Sequence, residues 1–315
     1  MIADKKGWLI VGAGAIGLLW YSKLAEKKIP VTLLHRANSP LKTLTLMSDK
    51  QSHHYPLSEL SVNFESHTAN TVTEQQLEFT QVLFCTKSFD LVSAYLTNKH
   101  YFSDDATLVT LCNGMGAQQT LNQFKTDQQK LFIGTTNEGA LKLDTNVISK
   151  TGDGDIFVGA LNSNEQPPEP FTPYACSNIR QKLLTKLAIN AVINPLTAFF
   201  NINNGQLLEP DYLPYYQACR DEVCLFLRSN LNEQQALMNI IDSVAYKTGK
   251  NRSSMLQDFS LNKQTEIQFI SGYLISEATK VNHTLPIQAL LLDFVENKQS
   301  QSTQLLKFNN FLHNS

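Results

Sequence analysis

The stretch Trp8-Leu-Ile-Val-Gly-Ala-Gly-Ala-Ile-Gly17 limits what this chain can fold into more than any other. A short apolar run enters a turn in which Gly12, Gly14 and Gly17 are spaced G-x-G-x-x-G. An amphipathic helix pattern follows from Leu18 to Lys27, and a second apolar run covers Val31 to Leu34. Strand, glycine turn, helix, strand is the first βαβ unit of a dinucleotide-binding fold. Gly12 permits the tight turn, Gly14 lets the backbone approach a pyrophosphate, and Gly17 lets the helix pack on the sheet. The helix N-terminus adds unbonded N–H groups and a partial positive charge. Gly12, Ala13, Gly14, Ala15, Ile16 and Gly17 are therefore the expected pyrophosphate cradle.

The end of the second strand selects the nucleotide. An Asp or Glu about twenty residues past the glycines accepts from the ribose 2′-hydroxyl of NAD. Here that position reads Leu33-Leu34-His35-Arg36, without a carboxylate. A guanidinium holds a 2′-phosphate that a carboxylate would repel. Arg36 therefore points to NADP(H), and His35 reads as a strand-end residue.

At 315 residues the chain is long enough for two ordinary domains, and 42% hydrophobic residues supply their cores. A net charge of −2 gives no reason to expect a nucleic acid or a membrane surface as partner. The five cysteines (Cys85, Cys112, Cys176, Cys219, Cys224) are odd in number and contain no C-x-x-C, the pattern of buried thiols in a reducing compartment. Lys5-Lys6 followed by apolar residues to Trp20 imitates a secretory leader, but the glycine spacing explains the same residues better. No stretch approaches the roughly 20 uninterrupted apolar residues of a membrane span. The expectation is a soluble, cytoplasmic protein.

Further apolar runs at Gln81–Thr86, Thr107–Cys112 and Leu131–Gly134 read as strands buried on both faces, with helices at Phe89–Leu96 and Gly116–Phe124 between them. Thr151-Gly-Asp-Gly154 is turn chemistry, suggesting hairpins over 137–160 at the sheet edge. The proline-stiffened stretch from Leu161 to Pro173 reads as a boundary loop, and helix periods take over past 177. The expected fold class is α/β: an N-terminal Rossmann-type dinucleotide-binding domain over 1–176, then an all-helical substrate domain over 177–315, with a cleft between them. Residues 49–73 carry no firm pattern.

Ligands in such sheets lie beyond the carboxyl ends of the strands. Lys87 follows one strand there, and Asn113-Gly-Met-Gly116 follows the next. In the helical half, Lys186, Asn190 and Asn194 fall at i, i+4 and i+8 with only apolar residues between them. Each step drifts about 40° around a helix, so the three form one polar stripe. Burying such groups costs roughly 1–3 kcal/mol each unless a partner satisfies them, and a ligand cleft is one way out. Pro195 is expected to kink or end that helix. Asn204-Gly205 marks a turn that brings another amide to the cleft. Ser254 with Gln257 matches a helix capping box, and Glu266 by itself reads as a surface carboxylate.

Taken together, Gly12–Gly17, Asn113–Gly116, Lys186 through Asn194-Pro-Leu-Thr197, Asn204-Gly205, and Ser254–Asp258 with Thr265-Glu266 resemble the ketopantoate reductase family over nearly the whole chain. The resemblance implies NADPH as cofactor, with Gly12 to Gly17 on its pyrophosphate and Arg36 on its 2′-phosphate. It implies that Lys87, Asn113 and Ala140 line the nicotinamide half, and that Lys186 is the proton donor. Asn113, Asn190, Asn194, Asn204 and Ser254 would hold the small 2-oxoacid, with Glu266 linking substrate and cofactor as a second catalytic group. The implied activity is reduction of 2-dehydropantoate to pantoate in pantothenate synthesis, by a monomer or homodimer that needs no metal. Two alternatives stand beside it: an NADP-dependent reductase of another branched 2-oxoacid, and a non-catalytic NADPH-binding sensor.

Overall fold

The computed structural model describes residues 3–4, 7–36, 42–48, 51–61, 77–228, 231–297 and 300–314. The chain divides into two compact units, one of residues 1–112 with 117–180 and one of residues 113–116 with 181–315.

Unit 1 is built on an eight-stranded sheet. β2 (Trp8–Val11), entirely buried, leads through the glycine turn to α1 (Ala15–Glu26) and on to β3 (Val31–His35). After β3 the chain leaves the sheet for an antiparallel pair, β4 (Thr43–Ser48) and β5 (Gln51–Pro56), and returns as β6 (Glu59–Ser61), parallel to β3. Next come β7 (Leu77–Phe84), α2 (Ser88–Asn98), β8 (Phe102–Thr110), α3 (Ala117–Phe124) and β9 (Lys130–Thr136). β12 (Ile156–Ala160) closes the edge antiparallel to β9, and the short β1 (Ala3–Asp4) pairs with β7. The order β6-β3-β2-β7-β8-β9-β12 reverses direction between β2 and β7. This is the switch point of a doubly wound sheet, where such sheets open a crevice for a ligand.

A second sheet, β10 (Gly139–Asp144), β11 (Val147–Gly152), β4 and β5, runs in that order along α1. Its Leu44, Leu46 and Ile148 join Leu18, Leu19, Trp20 and Leu24 of α1 in one core. α1 is consequently buried on more than one face, not the one-sided amphipathic helix that its sequence suggested. The β10–β11 hairpin lies inside the expected 137–160 region but turns at Asp144–Val147. Thr151–Gly154 instead spans the end of β11 and the link to β12. The proline-rich stretch ends on Phe171, fully buried between Trp8 (ring centroids 5.2 Å apart) and Trp20 (4.4 Å), so the loop is pinned to the core.

Unit 2 is helical: most of α4 (Ile179–Phe200), then α5 (Leu213–Leu227), α6 (Leu231–Lys247), α7 (Ser254–Ser260), α8 (Tyr273–Lys280), α9 (Pro286–Asn297) and α10 (Gln301–Asn314). Phe199 at the end of α4 packs edge-on to Phe294 of α9 (4.7 Å) and near Phe308 of α10 (6.3 Å). α4 is long and apolar enough by composition to cross a membrane, yet 67% of its most apolar window is buried inside the protein, as in a core helix.

Of the two outcomes expected at Pro195, a kink or an end, the end does not occur: α4 continues past it to Phe200. Proline removes the N–H that would bond the carbonyl four residues back, here Ala191. That carbonyl finds substitutes, accepting from Gln288 Nε2 at 3.0 Å and from the Cys219 thiol at 3.8 Å. Side chains from α5 and α9 thus replace the missing helical bond. Gln288 itself is fully buried.

Candidate active site

The glycine turn of unit 1 separates structural from functional need. Gly12 adopts φ +112°, and a Cβ there would lie 2.8 Å from the Cys85 carbonyl oxygen. A Cβ on Gly17 would lie 2.0 Å from the Gly12 carbonyl oxygen. The fold alone forces both glycines. Gly14 differs: it is exposed, extended (φ −75°, ψ 177°), and its nearest neighbour would be the Cys85 oxygen at 3.8 Å. Among the described residues nothing requires glycine there, whereas a backbone that must touch a ligand does. Gly14 caps α1 without a side-chain hydrogen bond, so the half-buried Ala15 and Ile16 start a helix whose N-terminus no side chain closes. Ala13 and Ile16 pack on the core beneath. The turn fits a dinucleotide pyrophosphate.

Around the switch point, Arg36 follows β3 and donates from Nη2 to Asp90 Oδ1 at 3.0 Å. Asp90 lies in the first turn of α2, and the pair is partly exposed. Arg36 is therefore engaged by a carboxylate from another element, a contact the sequence did not reveal. His35 is buried against Glu59 Oε2 at 2.7 Å, a structural partner for a strand-end residue. Lys87, half-buried, holds the N-cap position of α2. Ala140 lies on β10, half-buried against the α1 core.

In unit 2, Asn113, Glu266 and Lys186 come together. The Asn113–Gly116 segment, only three residues past the end of β8, binds a π-helical turn at Gln268–Gly272. The Met115 N–H donates to the Phe269 carbonyl at 2.9 Å. Gly114 adopts φ +72° with its missing Cβ only 2.4 Å from the same oxygen, so no side chain fits there. This clasp lets Asn113 Nδ2 donate to Glu266 Oε2 at 3.2 Å. Glu266 is 5% exposed, not the surface carboxylate its sequence context implied. Lys186, half-buried on α4, has its pKa pushed down from 10.5 to about 8 by desolvation, with the Glu266 charge opposing the drop. A desolvated ammonium beside a buried carboxylate is a group poised to give up a proton near neutral pH.

The rest of the stripe continues along α4, with Asn190 half-buried and Asn194 buried. The Thr197 hydroxyl donates to the Asn194 carbonyl at 2.9 Å and meets Ser253 Oγ at 2.7 Å. Ser253 Oγ also accepts from the Leu256 N–H at 3.0 Å and so caps α7. The capping box expected of Ser254 and Gln257 does not form: Ser253 is the cap, and Gln257 Nε2 donates to the Arg252 carbonyl at 3.0 Å instead. Ser254 is left as an exposed first helical residue, tied to the stripe through its neighbour. Asn204 starts a 3₁₀ turn (Asn204–Leu208) and donates from Nδ2 to Thr248 Oγ1 at 2.9 Å. Its Oδ1 is buried with no hydrogen-bond partner. Asn204 is thus tied to the end of α6, and no described hydrogen bond joins it to Lys186 or Glu266. The hydrogen-bonding roles of Thr197, Ser253 and Thr248 escaped the sequence reading because a hydroxyl's partners leave no spacing signature.

Two family models match this chain, one after the other. The model of the family described as ketopantoate reductase PanE/ApbA matches residues 8–163, and that of its C-terminal domain matches residues 178–299. The 2-dehydropantoate 2-reductase of Vibrio cholerae serotype O1 is 30% identical over 298 residues, covering 90% of this chain and 94% of that protein. The crystal structure of a probable 2-dehydropantoate 2-reductase from Bacillus subtilis superposes with a TM-score of 0.74 at 24% identity, over 93% of this chain and 100% of that one. D-mandelate dehydrogenase, solved with NADH and anilino(oxo)acetate, superposes at 0.78 and 16% identity, over 94% and 99%. The two structural likenesses carry the fold alone.

Proposed function

Because this chain belongs to the ketopantoate reductase family of oxidoreductases, we propose that it reduces 2-dehydropantoate to pantoate with NADPH, a step of pantothenate biosynthesis carried out in the cytosol by a monomer or homodimer. The observation that carries the proposal is the desolvated Lys186 beside buried Glu266, itself held by Asn113. NADPH, when bound, supplies a hydride to the C2 carbonyl carbon of the oxoacid. The chain's part is to manage the charge and proton on the carbonyl oxygen. Lys186 Nζ stabilises the growing negative charge and delivers the proton as general acid. A pKa of about 8 keeps the amine charged at pH 7 while lowering the cost of proton release. Glu266 holds that amine in its charged form and, in this reading, also bonds the substrate and the cofactor ribose.

The remaining assignments follow the same division of labour. Residues 1–176 serve as the dinucleotide domain and 177–315 as the substrate domain. Gly12, Ala13, Gly14, Ala15, Ile16 and Gly17 take the pyrophosphate, Arg36 the 2′-phosphate, and Lys87, Asn113 and Ala140 the nicotinamide half. Asn113, Asn190, Asn194, Asn204 and Ser254 orient the oxoacid through neutral hydrogen bonds. A second reading is reduction of another branched 2-oxoacid, which the same Lys186, Glu266 and Asn113 chemistry would serve equally. Comparing kcat/KM for 2-dehydropantoate with other branched and aryl 2-oxoacids, with NADPH and with NADH, decides. The proposal expects the highest value for 2-dehydropantoate with NADPH. A higher value for another oxoacid moves the assignment to that substrate, and NADPH binding without any turnover points to a sensor.

A further inference from the structure

The β10–β11 ladder is regular over Ala140↔Lys150, Leu141↔Ser149 and Lys142↔Ile148. Side chains alternate along a strand, so Ala140 and Lys142 share one face and Leu141 occupies the other. Ile148, directly opposite Lys142, is fully buried in the core with Leu18 and Leu24, whereas Leu141 is 44% exposed. The face of Ala140 and Lys142 is therefore the one turned toward α1. From there Lys142 Nζ reaches the Ala13 carbonyl oxygen at 2.7 Å, inside the glycine turn itself. An ion pair between Lys23 of α1 and Glu138 fixes the start of the hairpin to the same helix.

The turn has a charge deficit that this amine answers. Gly12 to Gly17 contain no charged side chain, and a helix N-terminus offers only about half a positive charge. A dinucleotide pyrophosphate carries two negative charges. We propose that Lys142 is a cofactor-binding residue, a cation delivered from the second sheet onto the pyrophosphate held at the glycine turn. It acts on NADPH and NADH alike, because the pyrophosphate is common to both and the 2′-phosphate is remote from it along the cofactor. The inference rests on the reading of that turn as the dinucleotide site, and the experiment separates the two.

Dissociation constants are measured calorimetrically for NADPH, NADH, ADP-ribose and adenosine 2′-phosphate, against the wild type, Lys142→Met, Lys142→Arg and Arg36→Ala. The expected result is a rise of about tenfold in Kd for the three pyrophosphate ligands in Lys142→Met, the size of one charge-assisted contact on an exposed site. Adenosine 2′-phosphate is unaffected, Lys142→Arg restores most of the binding, and the salt dependence of Kd flattens in Lys142→Met. Mere loss of a loop tether would leave the salt dependence as it was. Lys142 is exposed, so the variants are expected to melt at the wild-type temperature. Wild-type affinity for all three pyrophosphate ligands in Lys142→Met, or equal weakening of adenosine 2′-phosphate, overturns the proposal. A wild-type protein that binds neither dinucleotide overturns the cofactor reading beneath it.

Discussion

A group held away from its preferred charge state to do chemistry destabilises the fold that holds it, and Lys186 makes this measurable. Its pKa of about 8 against an ordinary 10.5 corresponds, at 1.36 kcal/mol per pH unit, to about 3 kcal/mol. Below pH 8 the amine is charged in both folded and unfolded chains, and the folded chain bears the full desolvation cost. Between pH 8 and 10.5 the folded lysine sheds its proton before the unfolded one does, so the cost is progressively relieved. Lys186→Met keeps the length of the side chain and removes the charge. The figure of about 3 kcal/mol is already net of the attraction to Glu266, which opposes the desolvation. The expected effect is stabilisation by about 3 kcal/mol at pH 7, a rise in melting temperature of roughly 2–4 °C per kcal/mol. The assay is urea and thermal unfolding of both proteins, followed by circular dichroism, from pH 6 to 10. The advantage of the variant is expected to shrink steadily above pH 8 and vanish near 10.5. A variant less stable at pH 7, or an advantage equal at pH 7 and 10, would refute the picture of a desolvated ammonium.

Three further outcomes follow from the same contacts. The rate of reduction, as kcat/KM, should fall about tenfold per pH unit above pH 8 as Lys186 loses its proton; a flat profile to pH 10 removes this amine as the acid. Asp90→Asn, by releasing Arg36 from a competing carboxylate 3.0 Å away, should raise the preference for NADPH over NADH by about three- to tenfold. An unchanged ratio counts against Arg36 as the 2′-phosphate ligand. Gln288→Leu should cost about 1–3 kcal/mol of stability by leaving the Ala191 carbonyl with only the long, weak Cys219 thiol contact. In a Pro195→Ala background, where an N–H returns to that carbonyl, the same change should cost clearly less; equal costs in both backgrounds would show the two are unconnected.

The glycine turn, the flanking strands and the polar stripe on α4 were legible because each repeats at a fixed spacing that a one-dimensional pattern preserves. The second sheet was not. β5 presents Gln51–Ser–His–His54 to solvent, so it has no apolar alternation to betray it, although Leu44 and Leu46 of its partner β4 alternate into the core. α1 looked one-sided for the same reason: the sheet covering its second face was invisible. The continuation of α4 through Pro195 depends on Gln288, nearly a hundred residues away in sequence, and no local rule contains it. Ser253 and Ser254 are chemically identical neighbours, and only the backbone decides which one caps α7. Asp90 and Lys142 bond Arg36 and the glycine turn from elements remote in sequence, which is why these contacts were harder to read than the turn itself.

The most direct test compares wild type and Lys186→Ala with 2-dehydropantoate, following NADPH oxidation optically and NADPH affinity calorimetrically. With Lys186 as proton donor, turnover drops by roughly 10²–10⁴ while the dissociation constant for NADPH stays within about twofold. Near-normal turnover in the variant contradicts that role, and a wild type that binds NADPH yet leaves it unoxidised contradicts the assigned reaction.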